Sequence, residues 1–264
     1  MKKLTTLLTV LFLMTGCLSF NVFASSEEKN VTVRIEGKSE TYFYGSVKTT
    51  ATNVTELMNQ LDAENDKLTI KCESGSYGSY ISKINNDAAG SVEPDYYDGW
   101  SDMINGKAPS VGIDSQEIKD GDVVVFYYSD EFGSHGFDKP EIDTSGITEG
   151  VLKFTSQGFD AEYKPVVNPV KGATVKWDEK TYTTDDNGEI KLVKEDMTPG
   201  SHSISISKVA DDGMPLVLRF APDEKITIEG SSKKETKNYT VLFVVPALVV
   251  VIIAATFIKK GHEK

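Results

Sequence analysis

The chain has 264 residues, 39% of them hydrophobic and 26% charged, which suffices for one large or two modest folded domains and excludes a wholly disordered chain. Its formal net charge of -12 repels phosphate backbones and anionic headgroups, so a nucleic-acid role is set aside. Two cysteines and three histidines leave little material for a disulfide framework or a histidine-rich metal centre.

Residues 1–24 open with Lys2-Lys3, continue as an apolar run from Leu4 to Leu18, and end in Val22-Phe23-Ala24 before a polar Ser25-Ser26-Glu27-Glu28. That pattern predicts a secretory signal peptide cut after Ala24. Met14-Thr15-Gly16-Cys17 leaves open a second processing route, lipidation at Cys17. At the other end, residues 239–258 carry no charge over the length needed to cross a hydrocarbon core of ~30 Å. Lys259-Lys260 follow at once, so the tail 259–264 is expected in the cytoplasm and residues 25–238 outside, on the cell membrane of a bacterium with one membrane. If Cys17 departs with the signal, Cys72 has no intrachain partner; on the alternating Leu68-Thr69-Ile70-Lys71-Cys72 it reads as a small strand hydrophobe.

Residues 29–130 read as a first domain. Val31, Val33 and Ile35 alternate with Thr32, Arg34 and Glu36, a half-buried strand, and Gly37-Lys38-Ser39 turns into a second strand from Thr41 to Val47. A helix follows, capped by Thr52 or Asn53, with Val54, Leu57, Met58 and Leu61 on one face. Next come a strand at Leu68 to Cys72 and a strand or short helix at Tyr80 to Ile84. Gly99-Trp100, the Asn105-Gly106 turn and Asp120-Gly121-Asp122 precede the apolar strand Val123 to Tyr128. Hairpin, helix and further strands predict an α+β fold of β-grasp type, one helix on a small sheet.

Val31-Thr-Val-Arg-Ile, the helix, Tyr80-Ile-Ser-Lys-Ile-Asn, Gly99-Trp100, Ile104-Asn105-Gly106, Val111-Gly112-Ile113 and Lys119-Asp120-Gly121-Asp122 together resemble the bacterial transcobalamin-like C-terminal domain family, which is similar to the β domain of transcobalamin and intrinsic factor. The resemblance implies a binding domain whose ligand is cobalamin or a related corrinoid. Its contacts would come from Tyr77, Tyr80, Tyr96, Tyr97, Trp100 and Asn105, because flat aromatic faces and amide groups suit a planar, amide-fringed molecule. Ser101-Asp102-Met103 stands where that family carries an aromatic-rich strand. Each of these residues also has a plain structural reading: Trp100 as a packing aromatic, Asn105-Gly106 as a type I′ turn and Asp120-Gly121-Asp122 as a turn that launches a strand.

Residues 131–145, rich in Gly, Asp and Pro, read as a linker. In residues 146–230, short alternating segments at Val151–Thr155, Ala173–Trp177, Tyr182–Thr184, Ile190–Leu192, Ile204–Ile206, Leu216–Phe220 and Ile226–Ile228 predict an all-β sandwich, a stalk domain. Gly172-Ala-Thr-Val, Tyr182-Thr-Thr-Asp-Asp-Asn-Gly and Thr198-Pro-Gly-Ser-His resemble carboxypeptidase-regulatory and Cna-B-like modules, which implies architecture alone. Asp185-Asp186-Asn187-Gly188 reads as a β-turn in preference to a calcium loop. Residues 231–238 form a polar spacer.

No nucleophile-base pair, His cluster, phosphate loop or metal-ligand spacing stands out, so the chain reads as a non-enzymatic binding protein that presents its first domain to a vitamin-like molecule, with a transporter component as a candidate partner. The alternative is an adhesion or structural protein that contacts other macromolecules. Protease added to intact cells is expected to remove the region between the two hydrophobic ends; a region left untouched would overturn the topology.

Overall fold

A computed structural model describes residues 27–93, 96–229 and 241–242 of the protein. The expected signal peptide, Cys17, the expected 231–238 spacer and the 259–264 tail lie outside the described residues, as does the segment expected to span a membrane except for Val241–Leu242. Those two residues form a short strand, and among the described residues no helix is long and apolar enough to cross a membrane. The protein is mostly β, with one α-helix and several sheets.

β1 (Lys29–Glu36) and β2 (Thr41–Thr49) form the expected hairpin. α1 (Val54–Glu64) follows, its amino end capped by Asn53, whose Oδ1 accepts from the Glu56 amide at 3.0 Å. The Glu56 carboxylate reaches back to the Thr52 amide at 2.6 Å, so both candidate cap residues are used. β3 (Ile70–Gly75), β4 (Gly78–Ile84) and β5 (Asp87–Ala88) make a separate three-stranded sheet. β6 (Gly99–Ile104) and β7 (Val123–Ser129) complete a four-stranded sheet in the order β2-β1-β7-β6, with β1 parallel to β7.

Strand alternation divides this central sheet into two faces. One carries Val31, Val33, Ile35, Val124 and Phe126, which pack with Val54, Leu57, Met58 and Leu61 of α1 and with Ile81 and Ile84 of β4 in one buried cluster. The other carries Arg34, Glu36, Met103, Val125 and Tyr127, and it too is covered: Met103, Val125 and Tyr127 bury against Leu218 and Phe137. Glu36, read from sequence as a solvent-side residue, is only 3% exposed.

Past β7, the segment read as a linker contains β8 (Pro140–Asp143), and Phe137 stacks on Tyr127 at 5.2 Å. β8 pairs one side of β9 (Val151–Phe159), and β10 (Pro165–Pro169) and β13 (Glu189–Lys191) pair the other. A second sheet runs β12 (Lys180–Thr183), β11 (Thr174–Trp177), β14 (Gly200–Ser207), β15 (Lys225–Ile228) and β16 (Val241–Leu242). Leu152 and Phe154 from the first sheet meet Val175, Trp177, Ile204, Ile206 and Ile226 from the second in a common core. Leu216–Phe220, expected as a strand, is an irregular connection with one isolated bridge between Asp138 and Val217. Its apolar run has another cause: Val217 turns into the C-terminal core and Leu218 into the cluster against the central sheet.

The Asp185–Gly188 turn is built as read. Asp185 Oδ1 accepts from the amides of Asn187 and Glu189, both at 2.8 Å, and Gly188 has φ +74. A Cβ there would lie 2.3 Å from the Phe154 carbonyl oxygen, which itself sits on β9. Gly188→Ala is therefore expected to destabilise the protein by about 2–4 kcal/mol, a left-handed penalty plus overpacking, measured by urea unfolding.

Candidate functional site

Trp100 lies on β6 beside the end of β7, because β6 and β7 pair with Trp100 opposite Tyr128. Its ring meets Tyr128 edge-on at 5.4 Å and Tyr42 of β2 at 6.3 Å, and its indole nitrogen donates to the Asp87 carbonyl at 2.9 Å. Asp87 also receives the Tyr42 hydroxyl at 2.8 Å and the Lys38 amide at 2.7 Å through its carboxylate. Asp98 accepts from the Ser91 amide at 3.0 Å, the Ser91 hydroxyl at 2.7 Å, the Val92 amide at 2.9 Å and the Tyr128 hydroxyl. Burial opposes ionisation of Asp98, but the Tyr128, Ser91 and Val92 hydrogen bonds prevail and hold it at about 2. Burial, reinforced by Asp87 and Asp98 respectively, pushes the Tyr42 and Tyr128 hydroxyls well above the ordinary phenol range. The Lys38 ammonium stands 4.6 Å over the Tyr128 ring.

Asp98 of this cluster ties down Ser91 and Val92, at the start of the connection that carries Tyr96 and Tyr97, while the hairpin that carries Tyr77 and Tyr80 is held separately. Asp98 closes the loop from Ser91 to Asp98, in which Tyr96 adopts φ +56 and Tyr96 and Tyr97 are 52% and 64% exposed. Tyr77 sits at the tip of the β3–β4 hairpin, 96% exposed. That hairpin is docked on the 111–114 segment by a backbone approach so close that a Cβ on Gly112 would lie 2.8 Å from the Gly78 Cα. Tyr80, 45% exposed, gives its hydroxyl to Glu73 at 3.2 Å across the same hairpin. The six residues named from sequence thus separate into three places. Tyr77 and Tyr80 share one hairpin, Tyr96 and Tyr97 share a loop next to Trp100, and Asn105 lies at the far end of β6.

Asn105 has both amide ends engaged in its own turn: Nδ2 donates to Asp122 at 2.8 Å and Oδ1 accepts from the Val123 amide at 2.9 Å. With φ +53 at Asn105 and +73 at Gly106, and mutual backbone bonds between Ile104 and Lys107, the turn has the I′ form. Sequence reasoning did not single out Tyr42, Asp87, Asp98 or Tyr128 as companions of Trp100. The available signal was weak, a tyrosine at the end of an apolar strand and an aspartate just before Gly99-Trp100.

Neither of the two described depressions is bordered by these aromatics. The larger, an open hollow of about 480 Å³, lies at the amino end of α1 among Lys29, Thr52, Asn53, Asp114, Ser115, Glu117 and Ile118. The smaller lies between Ile147, Thr148, Met197 and Ile228. Among the described residues no group of three or more His, Cys, Asp or Glu side chains is placed to hold a metal ion. Cys72 is half-buried, and burial pushes its thiol up, away from the nucleophilic thiolate.

Asp102 is the group least at ease in this unit. It lies opposite Phe126, on the face that packs against α1, and its Oδ2 has no hydrogen-bond partner. Burial raises it to about 6, with Gln116 pulling weakly the other way. Gln116 is itself buried, with an unpartnered Oε1.

Residues 55–130 match the family model of a domain of unknown function, DUF4430. The match runs from α1 through β7, the part of the chain that holds Trp100 and the tyrosines. No curated protein matches the chain. Among solved structures, a candidate metal-binding protein from Ruminococcus gnavus is similar at 24% identity and TM-score 0.32, over 39% of this chain and 97% of that one. Haptocorrin in complex with Cbi is similar at 20% identity and TM-score 0.35, over 43% of this chain and 28% of haptocorrin, so the chain spans little more than a quarter of that protein.

The strained carboxyl at Asp102 has a measurable consequence. Its folded value near 6 exceeds the unfolded value of about 3.9, so the native state binds the extra proton and the destabilisation is relieved as pH falls from 7 through 6 toward 4. Asp102→Asn is expected to stabilise the protein by about 1–2 kcal/mol at pH 7 in urea unfolding, with the gain shrinking at pH 5. An equal gain at both values would assign it to another cause.

Proposed function

We propose that the protein is a surface-anchored, extracellular binding protein whose N-terminal unit, of β-grasp type, presents an aromatic surface to a planar, amide-fringed ligand of corrinoid class for uptake. The observation that carries this reading is the exposure of Tyr77, Tyr80, Tyr96 and Tyr97 on connections whose backbones are held, one by the Gly78–Gly112 approach and the other by the Asp98 carboxylate. Large aromatic rings left in water on prefixed loops lose little entropy on binding and gain apolar contact. The sequence resemblance to the transcobalamin-like family supports the ligand class. The parallel β1–β7 pair with α1 across one face supports the β-grasp reading. Two facing sheets about one core support a β-sandwich for the C-terminal unit. Export, the membrane anchor and the absence of catalytic work belong to the same proposal, on the support of residues 1–24 and 239–258 and of the inert placement of Cys72.

A second reading, a macromolecular partner gripped by the same tyrosines, is favoured by their standing clear of both described depressions. Calorimetric titration of the detergent-extracted full chain with cobalamin and cobinamide separates the two. Corrinoid binding that Tyr77→Ala or Tyr97→Ala weakens about three- to tenfold supports the first reading. No heat at millimolar concentrations of either compound removes it and leaves the macromolecular one.

A further inference from the structure

The connection from β14 to β15 is long for a β-unit, and its middle does not run over solvent. Asp138 donates its amide to the Leu216 carbonyl at 2.9 Å and accepts the Leu218 amide at 2.8 Å, which ties the connection to the chain leaving β7. Arg219 comes next and points at the central sheet. Its Nε and Nη2 sit 2.9 and 2.8 Å from Glu36 Oε2, and its Nη2 and Nη1 donate to the carbonyls of Gly37 at 2.8 Å and Lys38 at 3.3 Å. Arg34 returns the contact by donating to the Arg219 carbonyl at 3.2 Å, and the Tyr44 hydroxyl meets Asp223 at 2.5 Å. On the flank, the His135 ring lies between Asp130 at the end of β7 and Asp212 in the same connection, 2.7 and 3.0 Å away.

Glu36 makes this more than a surface contact. A carboxylate that is 3% exposed needs a matched cation, and the Arg219 guanidinium brings two nitrogens, Nε and Nη2, to the one oxygen Oε2. The hydroxyl of Thr41, at 3.0 Å, is a neutral supplement, and the Arg34 guanidinium stands off at 3.8 Å with its Nε unpartnered. The two carbonyls that Arg219 holds belong to the β1–β2 turn. The Lys38 amide holds the Asp87 carboxylate, the Lys38 ammonium covers Tyr128, and Asp87 holds Tyr42 and Trp100. A residue of the C-terminal unit is therefore three contacts away from Trp100, through Lys38 and Asp87.

We propose that Arg219 is a latch between the units: it neutralises the buried Glu36, pins the β1–β2 turn under the Trp100 cluster, and makes the two units open as one body. The C-terminal unit is then a positioning part of the aromatic site and not a passive spacer. This stands on the contacts alone and does not depend on the ligand proposal.

Hydrogen exchange of the full chain along a urea series, read by peptide, tests it. In the parent, peptides from β1, β2 and β6 are expected to lose protection at the same urea concentration as peptides from β11 and β14. In Arg219→Gln the first set is expected to open at lower urea and part from the second, with the earliest loss in residues 36–44 and 87–100. Adding Glu36→Gln, which removes the stranded charge, is expected to restore part of that protection, a rescue that general loosening would not show. Separate transitions in the parent, coincident transitions in Arg219→Gln, or no rescue would each overturn the latch. Should Arg219→Gln fail to accumulate, Arg219→Lys keeps the charge and loses the fork. Faster exchange in residues 36–44 supports the latch there too, and unchanged exchange overturns it.

Discussion

A central sheet buried on both faces is the constraint on which the rest of the protein depends. The order β2-β1-β7-β6 has an apolar side that takes α1 and β4, and a mixed side that takes the β14–β15 connection. Burying the mixed side removes Arg34 and Glu36 from water, which costs free energy unless each charge finds a partner with hydrogen-bonding geometry. Arg219 supplies one for Glu36, and Met103, Val125, Tyr127 and Leu218 supply the apolar contact beside it. Without the second unit, that face would expose both an apolar patch and a charge pair built for burial.

The aromatic cluster follows from the same sheet. β6 and β7 set Trp100 against Tyr128, and the β1–β2 hairpin brings Tyr42 to the other side. Every polar handle in the cluster is matched: the indole by a backbone carbonyl, the Tyr42 and Tyr128 hydroxyls by Asp87 and Asp98. Such a satisfied network is rigid. It packs Trp100 inward, while Tyr77 and Tyr80 on the β3–β4 hairpin and Tyr96 and Tyr97 beside Asp98 stay exposed. The network ties Ser91 and Val92 to Asp98, and the close approach of Gly78 to Gly112 docks the hairpin.

Much of the local structure was legible because it depends on neighbours in sequence. Val31, Val33 and Ile35 announced β1, Val54, Leu57, Met58 and Leu61 announced α1, and Asn105-Gly106 announced its turn, since period, cap and left-handed φ are properties of a few adjacent residues. Short edge elements were not. β8 and β10 lie in Pro-rich stretches, and Pro interrupts the alternation that marks a strand. Leu216–Phe220 misled for the opposite reason: an apolar run can be one strand facing one core, or an irregular segment whose successive residues face two.

The aromatic stretch from Tyr77 to Trp100 was visible as a composition, and its division into a packed tryptophan and exposed tyrosines was not. Alternation states that residues point to opposite sides and never says what covers each side. Sequence alone determined β1, β2, α1, β7, the Asn105-Gly106 and Asp185–Gly188 turns and the two hydrophobic ends, because these rest on local geometry and on the length of an apolar run. Tertiary structure alone decided that Glu36 is buried, that Trp100 rests on Tyr42 and Tyr128, and that Arg219 answers a residue 183 positions away. Those contacts arise only when distant segments close on one sheet, and no short-range pattern records them.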